Sequence, residues 1–435
     1  MTDVLIINAD LITMDPQNRL IGNAFVGMTG GRITTVGAMT DMPVLQPART
    51  IDAQGAIVLP GFVNLHAHLA MTLLRGWADD RDLQDFLGRV IPTETAMMSP
   101  EFVRVGVDLA LAESLRAGIT TTLDMYFYPE VTAERADRAG VRIANGPVIF
   151  SFDGPDGLDF AQRIKQAEAH LAESRGELTS GRWLCPHGTY TVAIEHLEAV
   201  RDLADRYDAG ITIHAAENAA EVESVHAQTG RRPVELLHDL GLLTARMVLA
   251  HAVELTDAEI EMIAESGASV SHNPLSNMKL ASGFARVPDL LAAGVTVGLG
   301  TDGTASSNDL DLYGAVRFAS TIHKGNSLDA SAVSARQAVR MATIDGAKAL
   351  GLGSEIGSIE VGKRADIQVL WADHPNLVPS YDPVSTVAFS AARGDVRMVV
   401  IEGRVVLDDG TLTTIDLPST LGAARTMAQR VRATA

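Results

Sequence analysis

His66 and His68 stand two apart in the apolar run GFVNLHAH (61–68). On a strand, that spacing puts both side chains on one face. Imidazole nitrogen is a standard ligand for zinc or iron. Two more such residues close similar runs: His214 in GITIHAAE (210–217) and Asp302 in GVTVGLGTD (294–302). Three histidines and one carboxylate leave a position open for water, as a catalytic metal site requires. A divalent cation so held lowers the pKa of its water toward about 7. Asp302 can then both bind the metal and take the water proton. Glu217, three residues beyond His214, is placed to pass a proton to a substrate. His251, which ends MVLAHAV (247–253), is placed to orient the nucleophile or polarise a leaving group. A lone His-Ala-His pair reads equally well as two satisfied core or surface histidines, and the weaker alternative for Glu217 is a solvated residue that opens a helix. The matching places of His214 and Asp302 tip the balance toward metal.

Such a site needs a scaffold that brings distant segments together. Eight short apolar runs recur at 61–68, 118–125, 141–149, 182–188, 210–217, 247–253, 268–274 and 294–302, most of them followed by a helical stretch. Strand–helix alternation of this kind predicts an α/β fold, a (β/α)8 TIM barrel, whose strand ends converge on one face. Asp124, His187 and His272 close their runs in the same way. Six of the twelve histidines sit at such ends, which scattered placement would not produce. An open doubly wound sheet is disfavoured because no Gly-rich phosphate loop follows the first run. The stretch AIEHLEAVRDLADRYDAG has helical spacing and a glycine as its stop signal.

Both ends of the chain read differently. VLIINADLITMD, AFVGMTGGRITTVG and ARTIDAQGAIVLPG, then SIEVGKRADIQVLWAD and VRMVVIEGRVVLDDGTLTT, read as hairpins. They predict a small β-sandwich domain built from both termini. The expected divisions are 1–56 for its first part, 57–357 for the barrel, and 358–435 for its second part, with a helix over STLGAARTMAQRVRATA.

Composition narrows the class. The chain has 435 residues, 46% of them hydrophobic, enough to bury a large core. A net charge of −19 disfavours nucleic-acid backbones and anionic membrane surfaces. One cysteine, Cys185, cannot form an internal disulfide and reads as a small core residue, which fits a reducing compartment. With no run long enough to span a bilayer and no secretory leader visible, a cytoplasmic protein with a small-molecule substrate is expected.

The segments GFVNLHAHLAMTLLRGWADD, GITTTLDMYFYPE, IHAAE, VLAHAVEL, VSHNPLSNMKLASG and LGTDGTASSNDLDL, with GKRADIQVL beyond them, resemble the amidohydrolase superfamily. The closest likeness is to its branch of S-adenosylhomocysteine/5′-methylthioadenosine deaminases and triazine chlorohydrolase-like enzymes. The resemblance covers almost the whole chain. It implies that His66, His68, His214 and Asp302 are metal ligands, Glu217 the proton shuttle and His251 the water-orienting histidine. It implies one divalent metal per chain, zinc expected and iron(II) the alternative. Binuclear hydrolases on this scaffold carry a carboxylated lysine on the fourth strand, and the fourth run here has none. By the same resemblance Glu94, in VIPTE, binds ribose hydroxyls, His187 contacts the nucleoside, and Arg142 is the counterpart of a substrate-binding arginine. A second arginine found in relatives is missing from IANGPVIF, where Asn145 lies, and Pro186-His187-Gly188 replaces Pro-His-Ala. Homo-oligomers are common among such proteins, so one is expected here by analogy.

The residues by themselves say less about substrate. Trp77, Tyr126 and Phe127 follow barrel strands and can stack on a flat ring or simply pack. Asn273 and Asn277 are as suited to holding the seventh loop as to touching substrate. The first expectation is hydrolytic deamination of an adenine nucleoside such as S-adenosylhomocysteine, 5′-methylthioadenosine or adenosine, giving ammonia and the inosine analogue. The alternative is an aminohydrolase or chlorohydrolase of another amino-heterocycle: an s-triazine, a pterin or a free purine base. A catalytically dead scaffold is disfavoured because all four ligands and Glu217 are present.

Overall fold

The computed structural model describes residues 2–173, 178 and 182–434. Its centre is a sheet of eight parallel strands in sequential order. They are β1 (Phe62–Ala67), β2 (Ile119–Tyr126), β3 (Arg142–Ile149), β4 (Trp183–Pro186), β5 (Gly210–Ala215), β6 (Met247–His251), β7 (Ser269–His272) and β8 (Thr296–Leu299). Each falls within one of the eight apolar runs or within a residue of its end. All residues of β1, β2 and β3 are buried, because helices cover one face and the opposite wall covers the other. The sheet nearly closes at its two ends. The Asp302 amide donates to the His66 carbonyl (2.9 Å). The Asn64 and Thr301 side chains hydrogen-bond across the same seam (2.7 Å). This closure brings β1 and β8, and with them His66 and Asp302, side by side.

Gly300 permits that contact. A Cβ added there would lie 2.3 Å from Asn273 Oδ1 and 2.9 Å from the His66 Cβ. The glycine expected to stop the helix before β5 has another task. That helix (Ile194–Tyr207) ends on Asp208 in the left-handed conformation (φ 50°), which a short polar side chain tolerates. Gly210 instead opens β5, where a Cβ would meet the Trp183 ring at 2.8 Å.

Both termini form the second layer, as one nine-stranded sheet. Ile57–Pro60 joins the two halves. It pairs in parallel with Thr2–Ile12 and antiparallel with Ile367–Leu370. The change from this sheet to the barrel falls at Gly61. The sheet curls on itself: the Ile33 amide donates to the Lys363 carbonyl (2.8 Å) and the Ala365 amide to the Gly31 carbonyl (2.9 Å). Ile6, Val26, Ile33, Val58, Ile367 and Val400 fill its core, which is separate from that of the barrel.

Two helices matter for the site. Helix α1 (Leu83–Met97) is capped by Asp82, whose side chain accepts from the Asp85 amide. Helix α2 (Pro100–Arg116) is capped by Ser99 with proline in its first turn. The C-terminal helix (Leu417–Arg432), where helix was expected, buries Ala424, Met427 and Val431 in the cluster that holds Phe86 and Val90 of α1. Among the described residues no helix is long and apolar enough to cross a membrane.

Candidate metal centre and substrate pocket

His66, His68, His214 and Asp302 meet at the C-terminal mouth of the barrel. Their ligand atoms all lie within 4.8 Å of one another. Asp302 Oδ1 is 3.4 Å from His66 Nε2 and 3.2 Å from His68 Nε2. His214 Nε2 is 3.3 Å from His68 Nε2. His68 Nδ1 donates to the Met125 carbonyl (2.7 Å) and His214 Nδ1 to the His187 carbonyl (2.5 Å). Those bonds fix both rings with Nε2 turned into the cluster, the outer support a histidine ligand needs. His66 is fully buried and makes no hydrogen bond at either nitrogen. An orphaned buried polar group costs about 1–3 kcal/mol, a cost that a cation on the imidazole removes.

The charges agree with that donor set. Burial pushes His66 down to about 4, toward the neutral form that binds metals. Burial also drives His214 well below its usual range, helped by the neighbouring histidines. Burial would raise Asp302, but His66 and His68 outweigh it and hold the carboxyl well below the ordinary range. Burial likewise works against a charged His68, yet Asp302 beside it wins and raises the ring to about 9. The cluster thus favours positive charge next to Asp302. The four residues fit a divalent cation.

A second layer holds Asp302. Ser276 Oγ and Ser306 Oγ both donate to Oδ2 (2.6 and 2.7 Å), and the Gly303 amide donates to Oδ1 (2.7 Å). Asp302 and His251 both adopt positive φ (61° and 73°). Non-glycine residues in that region store strain that the surrounding structure must fix. His251 Nδ1 is 2.8 Å from Asn277 Oδ1, and its Nε2 is 4.0 Å from Asp302 Oδ2. Asn277 therefore supports the sixth strand's histidine, and Asn273 accepts from Ser271 (3.0 Å) within the seventh loop.

Glu217 is buried, 3.9 Å from His251. Burial raises its carboxyl, and the nearby Asp302 charge adds to the rise. Its turn is held by Glu221, which accepts from the amides of Ala216 (3.1 Å) and Glu217 (2.6 Å) and from the Thr189 hydroxyl (2.9 Å). Glu221 was not singled out from the sequence. Its signal there is its place three residues after Asn218, an N-cap residue followed by a glutamate at a helix start.

The cluster opens into a cavity of about 810 Å³. Glu94, His187, Glu217, His251 and Asp302 all line it. Glu94 is buried near the end of α1 and accepts a hydrogen bond from the Tyr126 hydroxyl. Burial raises its carboxyl to about 7, against the lowering effects of Tyr126 and His68. His187 packs on the Phe150 ring (centroids 4.8 Å apart), and its Nδ1 is 3.0 Å from Thr191 Oγ1. Burial drives its imidazole down to about 3, so it is neutral. Tyr126 and Phe127 are wall residues, whereas Trp77 is not. Its indole donates to Thr93 (2.9 Å) and lies under Arg89.

Arg142 corrects the sequence expectation. It opens β3, so it lies at the opposite end of the barrel from the pocket. There it pairs with Asp366 (3.1 Å) and Glu402 (2.8 Å) of the terminal sheet. It joins the two layers and does not reach a substrate in this cavity. His272 also turns away, toward His323 on Leu312–Ser327 (Nε2 to Nε2 3.3 Å). Asp124 accepts from the Leu69 amide (2.8 Å) and fixes the loop after β1. Cys185 is fully buried and burial raises its thiol far above the usual value, leaving a packing residue.

Comparison with known proteins places this geometry in context. The amidohydrolase family profile matches residues 57–406. A 5-methylthioadenosine/S-adenosylhomocysteine deaminase of Syntrophobacter fumaroxidans is 39% identical over 431 residues, 99% of this chain and 98% of the relative. The crystal structure of an adenosine deaminase from Xanthomonas campestris with bound zinc superposes with a TM-score of 0.96 at 38% identity, covering 99% of each chain. A triazine hydrolase from Arthobacter aurescens superposes with a TM-score of 0.92 at 26% identity, covering 98% of this chain and 100% of the other.

Proposed function

Because the chain belongs to the amidohydrolase family, we propose that it is a metal-dependent hydrolytic deaminase of adenine nucleosides. The reaction converts a 6-amino ring and water into the 6-oxo ring and ammonia. One observation carries the reading. A single cavity holds Glu217, raised by burial beside the cluster, and a second buried carboxyl, Glu94, farther along the wall.

His66, His68, His214 and Asp302 would hold the metal. Three imidazoles and one carboxylate suit zinc, which the Xanthomonas relative contains. When bound, such an ion supplies Lewis acidity that brings the pKa of water toward about 7. The chain's own groups do the rest. Glu217, its carboxyl raised by burial, gives a proton to the ring nitrogen next to the amino-bearing carbon, which makes that carbon electrophilic. Asp302 takes a proton from the attacking water. Held so low, it keeps no proton at rest and passes this one to the departing amino group, which leaves as ammonia, while the hydroxyl's remaining proton returns to Glu217 as the 6-oxo group forms. His251, anchored by Asn277, aims a ring nitrogen at the attacking water. Glu94 accepts from the ribose hydroxyls, and neutral His187 meets the nucleoside from the β4 side. Pre-positioning of this sort supplies much of the rate through orientation and fixed charge.

An ammonia-release screen of the zinc-loaded protein tests the proposal. Adenosine, 5′-methylthioadenosine and S-adenosylhomocysteine are run beside guanine, a pterin, an aminotriazine and a chloro-s-triazine. Ammonia from at least one adenine nucleoside, fastest of the set, is expected. A free base, pterin or triazine turned over fastest would contradict it.

A further inference from the structure

The wall beyond Glu94 speaks to the part of the substrate farthest from the reacting ring. On α1, Leu83, Phe86, Leu87, Val90, Ile91 and Glu94 all face the cavity. Their spacing is one continuous helix face, about 16 Å long at the rise of an α-helix. Only its last residue is polar. Phe152 and Pro155 also line the cavity. Among the described residues lining the cavity there is no lysine or arginine. Three cations next to or behind wall residues are engaged, among them Arg89, which precedes Val90 and lies over the Trp77 ring. Arg163 lies against the Phe150 and Phe127 rings, pairs with Asp156 and donates to the Val148 carbonyl (3.1 Å). Lys279, next to the wall residue Leu280, pairs with Asp79 (2.6 Å) and donates to the Ala305 carbonyl (3.1 Å).

We infer that this pocket selects adenine nucleosides whose 5′ arm is uncharged and apolar, an inference that rests on the deaminase reading above. With the adenine at Glu217 and the ribose at Glu94, the 5′ substituent runs along the leucine, phenylalanine and valine face. A methylthio group or a bare methyl buries apolar surface there. A homocysteine arm brings a carboxylate and an ammonium into the same space, and no lysine or arginine lines the wall to meet the carboxylate. The discrimination lies in the cost of desolvating charge without a partner.

The test compares kcat/KM of the zinc-loaded full chain for 5′-methylthioadenosine, 5′-deoxyadenosine and S-adenosylhomocysteine, with product formation confirmed by chromatography. The first two are expected within about tenfold of each other, and S-adenosylhomocysteine about 10²-fold or more below them. Leu87→Arg, at a half-buried wall position, is expected to shift the ratio toward S-adenosylhomocysteine by about tenfold or more. Wild-type turnover of S-adenosylhomocysteine within about threefold of 5′-methylthioadenosine overturns the inference and leaves the deaminase reading standing. An unchanged ratio in folded L87R also counts against it. Turnover of none of the three overturns both.

Discussion

Glu94→Gln separates what burial does to a carboxyl from what that carboxyl does for a substrate. Glu94 is 4% exposed, and burial carries it from 4.5 to about 7. The folded protein therefore holds this proton more tightly than the unfolded chain does. Stability falls as pH rises from about 4.5 through about 7 and is flat above that. The full penalty for ionising it in place is about 3 kcal/mol. Glutamine keeps the oxygen that accepts from Tyr126 and never ionises, so the variant escapes the penalty. For a chain of 435 residues this is worth about 3 °C in Tm. Thermal unfolding at pH 5 and pH 8.5 should show the variant gaining on wild type by about that much at the higher pH only. Activity should move the other way. A hydrogen bond to a charged group contributes about 1.5–3 kcal/mol. The variant's kcat/KM on adenosine should then drop about 10- to 10²-fold, with free bases spared. A Tm difference that ignores pH, or an equal loss on nucleosides and free bases, would refute the reasoning.

Two other substitutions probe opposite ends of the barrel. Glu217→Gln removes the proton donor and leaves the ligand set intact. Turnover should fall about 10²-fold or more while zinc content stays at wild-type level, and near-normal turnover would remove Glu217 from the chemistry. Arg142→Met takes the charge from between Asp366 and Glu402. Breaking a buried pair costs about 3–5 kcal/mol, so Tm should fall, while kcat/KM of the folded variant stays near wild type. A selective rise in KM would place Arg142 at the substrate after all.

Much of this arrangement was legible in the chain itself. Strands buried on both faces appear as short apolar runs, so each of the eight could be found within a few residues. A polar residue that closes such a run lies at the mouth end of the barrel, which gave His66, His68, His214 and Asp302, although His272 at such an end turns toward His323. The same logic applies to Arg142. It opens its run, so it belongs at the other end of the barrel. The face of α1 was hidden for a different reason. Positions 83, 86, 87, 90 and 91 look like any amphipathic helix, and periodicity does not tell a cavity wall from a packed core. The acidic stretch from Asp79 to Asp85 drew attention to charge instead. Ser276, Ser306 and Glu221 act only through other side chains. Their types are common in loops and helix starts, where they read as ordinary turn and cap residues. The terminal β unit was expected as a sandwich. The termini do form that separate β unit, as a continuous sheet in which Ile57–Pro60 bridges the two halves and the curl brings Gly31 onto Ala365.

The proposed chemistry needs a cation held by four residues from three distant segments. Metal content of the purified chain should be measured by mass spectrometry before and after chelation, and again after adding zinc back, with ammonia release from 5′-methylthioadenosine followed in parallel. About one ion per chain is expected, with loss of activity as it is stripped, recovery in proportion to the zinc restored, and failure of Asp302→Asn to recover either. Full activity in protein stripped of metal would contradict the proposed chemistry.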